Sequence, residues 1–167
     1  MDDLIYNQRK IPIGKWRYGF RTSAATGCGW IATYKSLRLM RYKAEPKELI
    51  RYYERQLPLI HGNAGTSILA PALFFIHHGF PVQVAFDRKK FDTLAKESSV
   101  CILYYRWRKK AKFGAHFTTV RFDGEKFIGY NTYNNSVGPD DYGHSLDSFL
   151  HTKKYFTPVL IGIRDKR

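Results

Sequence analysis

The run Thr26-Gly27-Cys28-Gly29-Trp30-Ile31-Ala32 contains the strongest structural signal of the chain. Small residues lead up to Cys28, and from there apolar side chains recur at the spacing of an α-helix. These apolar positions are Trp30, Ile31, Tyr34, Leu37 and Met40. The pattern predicts a helix from Cys28 to about residue 41 or 42. Its expected polar face carries Thr33, Lys35, Ser36 and Arg38.

A cysteine in the first turn of a helix is placed for reactivity. The first backbone N–H groups of a helix have no partner within it, and the helix dipole adds a partial positive charge there. Both effects favour the thiolate and can lower a thiol pKa from about 8.5 to about 3.5–7.5. We therefore expect Cys28 to be a nucleophile with a lowered pKa.

Two downstream residues complete a candidate catalytic group. His116 opens the β-branched and aromatic run His116-Phe117-Thr118-Thr119-Val120, and Asn131 follows the strand-like run Lys126-Phe127-Ile128-Gly129-Tyr130. A cysteine nucleophile needs an imidazole to move its proton and a third group to orient that imidazole. The sequence predicts His116 as general acid and base, and Asn131 as the orienter whose amide oxygen accepts from the ring N–H.

The order of Cys28, His116 and Asn131 resembles that of the papain-like cysteine protease superfamily. The resemblance implies a Cys at the N-terminus of the first long helix, a His at the start of a distant strand and an Asn or Asp at the end of the next strand. It is closest to the compact bacterial branch, which includes peptidases that trim bacteriocin leaders and small Cys-His acyltransferases. It implies an α+β fold in which N-terminal helices pack on a mostly antiparallel sheet.

The oxyanion hole departs from the pattern of that family. Many members have a Gln a few residues before the Cys, where this chain reads Arg21-Thr22-Ser23. The backbone N–H of Cys28 and the side chain of Thr22 or Ser23 are the remaining candidate donors. The candidate residues of the substrate cleft are Trp30, Gly114 and Tyr133.

Outside the Cys28 helix, the chain alternates helical and strand-like patterns. Further helices are expected over 46–57, 66–78, 89–96 and 145–150, with a kink or ragged turn at Pro71. Strands are expected over 81–86, 100–107, 116–122, 126–130 and 155–163, with a hairpin turn at Asp123-Gly124-Glu125. Helices followed by mostly antiparallel strands indicate an α+β protein.

The length of 167 residues predicts one domain over 1–167. No apolar run approaches the roughly 20 residues that cross a bilayer, and no signal peptide is visible, so a cytoplasmic location is expected. Cys101 lies in an apolar run and is predicted to be a buried small hydrophobe. No metal or other cofactor is expected, because His77 and His78 are adjacent and no Cys-x-x-Cys or His-x-x-x-His pair occurs.

The chain is strongly basic, with 28 Lys and Arg against 14 Asp and Glu, a net charge of +14. This excess predicts an acidic peptide or acyl carrier as substrate partner. A different class of function is left open by the run 104–110, where aromatic and basic residues alternate as in single-strand nucleic-acid sites. The alternatives to a peptidase or amidase are an acyltransferase, a nucleic-acid-binding module and a catalytically idle protein of the same fold.

Overall fold

The computed structural model describes residues 4–55, 66–132 and 137–167. An N-terminal arm holds a short 3-10 helix (Gln8–Lys10), strands β1 (Arg17–Tyr18) and β2 (Arg21–Thr22), and the one-turn helix α1 (Ser23–Thr26). Helices α2 (Cys28–Leu39), α3 (Pro46–Arg55) and α4 (Ala70–His77) follow. The remaining elements are β3 (Val82–Ala85), a 3-10 turn (Arg88–Lys90), α5 (Phe91–Glu97), β4 (Val100–Lys109), β5 (Lys112–Phe122), β6 (Phe127–Tyr130), β7 (Asp140–Gly143), α6 (Leu146–Thr152) and β8 (Phe156–Ile163).

The main sheet has six strands in the order β3-β8-β4-β5-β6-β7, and all of its neighbouring strands are antiparallel. Alternate residues of β4 face opposite sides of this sheet. Ile102 and Tyr104 belong to one apolar cluster together with side chains of α2, α3 and α4. Cys101 and Leu103 belong to a second cluster, which α5 and α6 cover. The predicted α+β class, with N-terminal helices on an antiparallel sheet, is confirmed.

Helix α2 is buried from Cys28 to Leu37, so the expected polar face is wrong except at Arg38, which is exposed. Thr33, Lys35 and Ser36 are all fully buried. The hydroxyls find partners inside: Thr33 Oγ1 bonds Tyr53 of α3, and Ser36 Oγ donates to the Ala32 carbonyl at 2.8 Å. Short polar side chains can form their hydrogen bonds inside the protein in this way, so their presence in the sequence did not indicate a solvent-exposed face.

Several local predictions are confirmed. Gly124 has φ of 106° in the β5–β6 turn, and the Asp123 carboxylate accepts from the N–H groups of Glu125 and Lys126 at 2.9 and 2.8 Å. The helix expected over 145–150 is α6, and Ser145 caps it by accepting a hydrogen bond from Ser148 N at 3.4 Å. Cys101 is 1% exposed, as expected of a small hydrophobe.

Other predictions differ from the structure. Helix α4 begins only at Ala70, so Pro71 lies in its first turn, where proline is tolerated. The expected end of the second helix, at residue 57, lies outside the described residues. Strand β5 begins at Lys112, so His116 lies inside it, because the basic run 104–110 continues β4 into a long hairpin with β5. Strand β7 lies where the sequence predicted neither a helix nor a strand.

Candidate functional site

Cys28 is the first residue of α2, and two glycines hold it there. A Cβ at Gly27 would lie 2.6 Å from the Ser23 carbonyl oxygen, so α1 and α2 can meet only at a glycine. A Cβ at Gly29 would lie 2.5 Å from Thr66 Oγ1. Both glycines flanking Cys28 therefore permit close approach of other segments around the thiol.

The environment of Cys28 differs from the sequence prediction. The residue is 7% exposed, and burial raises the pKa of its thiol to about 11. Backbone N–H groups of Phe117, Gly29 and Cys28 itself oppose this rise in pKa, as does the charge of Lys35. The effect of burial on the thiol pKa is larger than the opposing effect of the helix start, so the expectation of a lowered thiol pKa is wrong. Cys28 is a neutral thiol at pH 7 and lies against the backbone of Phe117, the neighbour of His116.

His116 is fully buried in β5 and is held by Asn131. Its Nε2 lies 2.6 Å from the backbone carbonyl oxygen of Asn131. A carbonyl oxygen only accepts, so Nε2 carries the hydrogen of the neutral ring. Burial lowers the pKa of His116 to about 3; the Asn131 bond raises it, and the charges of Lys35 and Arg9 lower it further. The ring also meets Tyr105, its cross-strand partner, edge-on at 5.8 Å between centroids.

Asn131 orients His116 through its main chain, whereas the sequence predicted its side-chain amide. Asn131 has φ of 65°, the left-handed conformation that Asn tolerates well. Its side chain instead forms two hydrogen bonds with Gln8 of the N-terminal arm. Oδ1 accepts from Gln8 N, and Nδ2 donates to Gln8 Oε1, both at 2.9 Å. Gln8 Nε2 then donates to the Ala24 carbonyl at 3.1 Å. Gln8 thus links the arm, α1 and the end of β6.

The two side chains predicted as oxyanion donors, Ser23 and Thr22, make contacts with other parts of the fold. Ser23 is fully buried, and its Oγ accepts the indole N–H of Trp30 at 3.1 Å. Thr22 pairs with Arg17 in the β1–β2 ribbon. Tyr18 was not predicted, yet it is fully buried, its hydroxyl lies 3.1 Å from Thr66 Oγ1, and the proximity of Cys28 contributes to its raised pKa. Twelve tyrosines in the chain gave no sequence signal that would single this one out.

The structure describes two of the three predicted cleft residues, Trp30 and Gly114. Trp30 is fully buried against Trp16, with ring centroids 5.7 Å apart, and belongs to the core. Gly114 lies under the Trp107 ring, where a Cβ would come within 2.7 Å of it. Tyr133 lies outside the described residues.

Lys35 is the most unexpected residue near the site. It is 0% exposed, and burial lowers its pKa well below the usual range. The charges of Asp140 and Cys28 oppose this shift. Lys35 in turn influences both Cys28 and His116, so a single ammonium is within electrostatic reach of both groups.

Within residues 4–55, 66–132 and 137–167, no three or more His, Cys, Asp or Glu side chains are grouped to hold a metal ion. The same ranges include no helix long and apolar enough to cross a membrane. Cys28 and Cys101 are both free thiols.

Among the comparisons with known proteins, only the comparison with solved structures gives matches, to eight chains. No protein-family model matches the sequence, and no curated protein matches it. Among solved structures, the chain is similar to the peptidase domain of Streptococcus ComA, a bifunctional ABC transporter involved in a quorum-sensing pathway. The TM-score is 0.57 at 14% identity, covering 85% of this chain and 93% of that one. At this identity the likeness establishes the fold, and the chain has the papain-like α+β fold.

Proposed function

We propose that this chain is a cysteine peptidase or amidase in which Cys28 attacks a carbonyl carbon. The observation that carries the proposal is the 2.6 Å bond from His116 Nε2 to the Asn131 carbonyl. It fixes the tautomer in which Nδ1 is the basic nitrogen. The same strand brings the N–H of Phe117 to the Cys28 sulfur, which supports a pairing of thiol and imidazole.

The reaction starts from two neutral groups. As the Cys28 sulfur bonds to the carbonyl carbon, its proton passes to His116 Nδ1 and the carbonyl electron pair moves to oxygen. When the C–N bond breaks, the imidazolium returns that proton to the leaving amine. Water then hydrolyses the thioester with His116 as base. The backbone N–H of Cys28 and the hydroxyl of Tyr18 are the proposed oxyanion donors.

The proposed substrate is a peptide with acidic residues near the cleaved bond. The chain carries a net charge of +14, and the charge of Arg9 reaches His116. Positive potential around a site raises the local concentration of acidic ligands, and salt weakens this attraction.

The burial of Cys28 and His116 favours one second candidate, an idle protein of the same fold. One assay separates the two. Mixtures of acidic, neutral and basic peptides are incubated with wild type, Cys28→Ala, His116→Ala and the matched control Cys101→Ala, and fragments are identified by mass spectrometry.

The proposal expects wild type and Cys101→Ala to cleave acidic peptides, with losses of at least about a hundredfold in Cys28→Ala and His116→Ala. Cleavage that persists in Cys28→Ala would contradict the proposal. A folded wild type that cleaves no peptide would identify the protein as idle.

A further inference from the structure

Lys35 and Cys28 lie on one side of helix α2. They are separated by about two helical turns, so both side chains project in nearly the same direction. A long helical side chain leans toward the helix N-terminus, which is where Cys28 lies. Lys35 is nevertheless 0% exposed, so its amine ends inside the protein.

The amine of Lys35 has an unusual environment. Among the residues that the structure describes, none forms a hydrogen bond with Nζ. The ionisable groups that face it come from three elements: Cys28 from α2, His116 from β5 and Asp140 from β7. Arg9 also acts on His116, and Tyr18 lies near Cys28.

A lysine in this position destabilises the fold. Burial of an ammonium without hydrogen bonds is unfavourable, and the amine loses its proton instead. A Met or Leu would fill the same space without this penalty. Strongly shifted ionisable groups of this kind concentrate at functional sites.

We propose that Lys35 is the charge partner of Cys28, holding the proton while the sulfur is a thiolate. The inference rests on the proposed function of Cys28 as a nucleophile. In the resting form the sulfur carries its hydrogen and the amine is neutral. In the reactive form the proton has left sulfur and the amine is an ammonium, with the total number of protons unchanged. As the sulfur attacks, the ammonium gives up this proton, which reaches His116 Nδ1 and from there the leaving amine.

This exchange lets a buried site form a thiolate without gaining net charge. The carboxylate of Asp140 favours the ammonium form. The ammonium favours both the thiolate and the neutral imidazole. Lys35 acts on Cys28 through space and is a positioning charge, not a group that touches substrate.

The test is the pH dependence of alkylation, which needs no substrate. Native protein is labelled with iodoacetamide between pH 6 and 11, and the rate at Cys28 is followed by peptide mass spectrometry. The variants are Lys35→Met and the matched control Lys47→Met, which removes an exposed lysine of α3. Thermal unfolding of each variant reports on the fold.

At pH 7, Lys35→Met is expected to label Cys28 about tenfold more slowly than wild type, the effect of about one pKa unit. The difference narrows to about fivefold at pH 11, where half of the wild-type thiol is ionised. The melting temperature of Lys35→Met is equal to or above that of wild type. Lys47→Met follows wild type throughout. Equal labelling of folded Lys35→Met and wild type at every pH would overturn the inference.

If Lys35→Met fails to fold, Asp140→Asn decides the question. Loss of this carboxylate should slow labelling at pH 7 by about threefold, the effect of half a pKa unit. Unchanged labelling in Asp140→Asn would overturn the inference. A protein that cleaves no peptide but shows Lys35-dependent labelling would refute the proposed function while leaving the role of Lys35 intact.

Discussion

Single residues near Cys28 behave differently inside the protein from what their positions in the sequence suggest. The helix start alone predicts a lowered thiol pKa, yet burial raises it to about 11. Lys35 and Gln8 were missed for a related reason. A lysine at helical spacing or a glutamine in an irregular arm is nearly always exposed, and the sequence does not record which segments will cover it.

Tyr18→Phe tests the proposed oxyanion donor. The variant keeps the ring but removes the hydroxyl that lies near Cys28, so peptide cleavage should fall by about 10²–10³. Tyr53→Phe is the matched control, because Tyr53 is also buried and its hydroxyl bonds a threonine, Thr33. Equal rates of cleavage in the two variants would remove Tyr18 from the oxyanion hole.

The buried neutral His116 should make the fold sensitive to acid. Its pKa is about 3 in the folded protein and about 6.5 when unfolded, so the unfolded state binds more protons below pH 6.5. The contribution of neutral His116 to the free energy of unfolding is complete above pH 6.5. It is lost as the pH falls toward 3, at about 1.4 kcal/mol per pH unit.

Urea unfolding from pH 6.5 to 4.5 measures this slope in wild type and in His116→Gln, where the new amide can still donate to Asn131. Lys35 contributes to the pH dependence of stability in both proteins, so its contribution cancels in the difference between their slopes. We expect the slope of His116→Gln to be smaller by about 1.4 kcal/mol per pH unit. Parallel curves would show that His116 is protonated in the folded state.

At the scale of elements, periodicity predicted most of the helices and strands, and tertiary contacts determined the rest. Helix α2 was identifiable because its apolar spacing is regular. Strand β7 was not, since Asp140-Asp141-Tyr142-Gly143 has no strand pattern and is held by pairing with β6. The position of His116 within β5 depends on the long β4–β5 hairpin, whose basic residues resemble a loop.

Gln8 connects the N-terminal arm to Asn131 through hydrogen bonds, so Gln8→Ala should lower both the stability of the protein and its activity. The variant leaves the Asn131 amide and the Ala24 carbonyl without their partner, a loss of about 1–3 kcal/mol in the free energy of unfolding. Cleavage should also fall because Asn131 positions His116. Gln83→Ala, an exposed change on β3, is the control. A Gln8→Ala protein as stable and active as Gln83→Ala would show that the arm does not support the site.

At the scale of the whole molecule, the fold is built on two apolar clusters, to which alternate residues of β4 contribute from opposite faces of the main sheet. Burial of α2 against the sheet brings Cys28, at the start of that helix, next to Phe117 in the strand that holds His116. The order of helical and strand-like patterns in the sequence predicted the α+β class. It gave no information on the closure of the site, which depends on how the arm, α2 and the sheet pack together.

The central claim is that Cys28 forms an acyl-enzyme with the help of His116. The most direct measurement is the intact mass of the protein after brief exposure to p-nitrophenyl acetate, followed by mapping of the acetyl group. The account predicts one acetyl group on Cys28, formed at least about tenfold more slowly in His116→Ala. A folded protein in which Cys28 stays unmodified, or acquires the acetyl group at the same rate without His116, would contradict it.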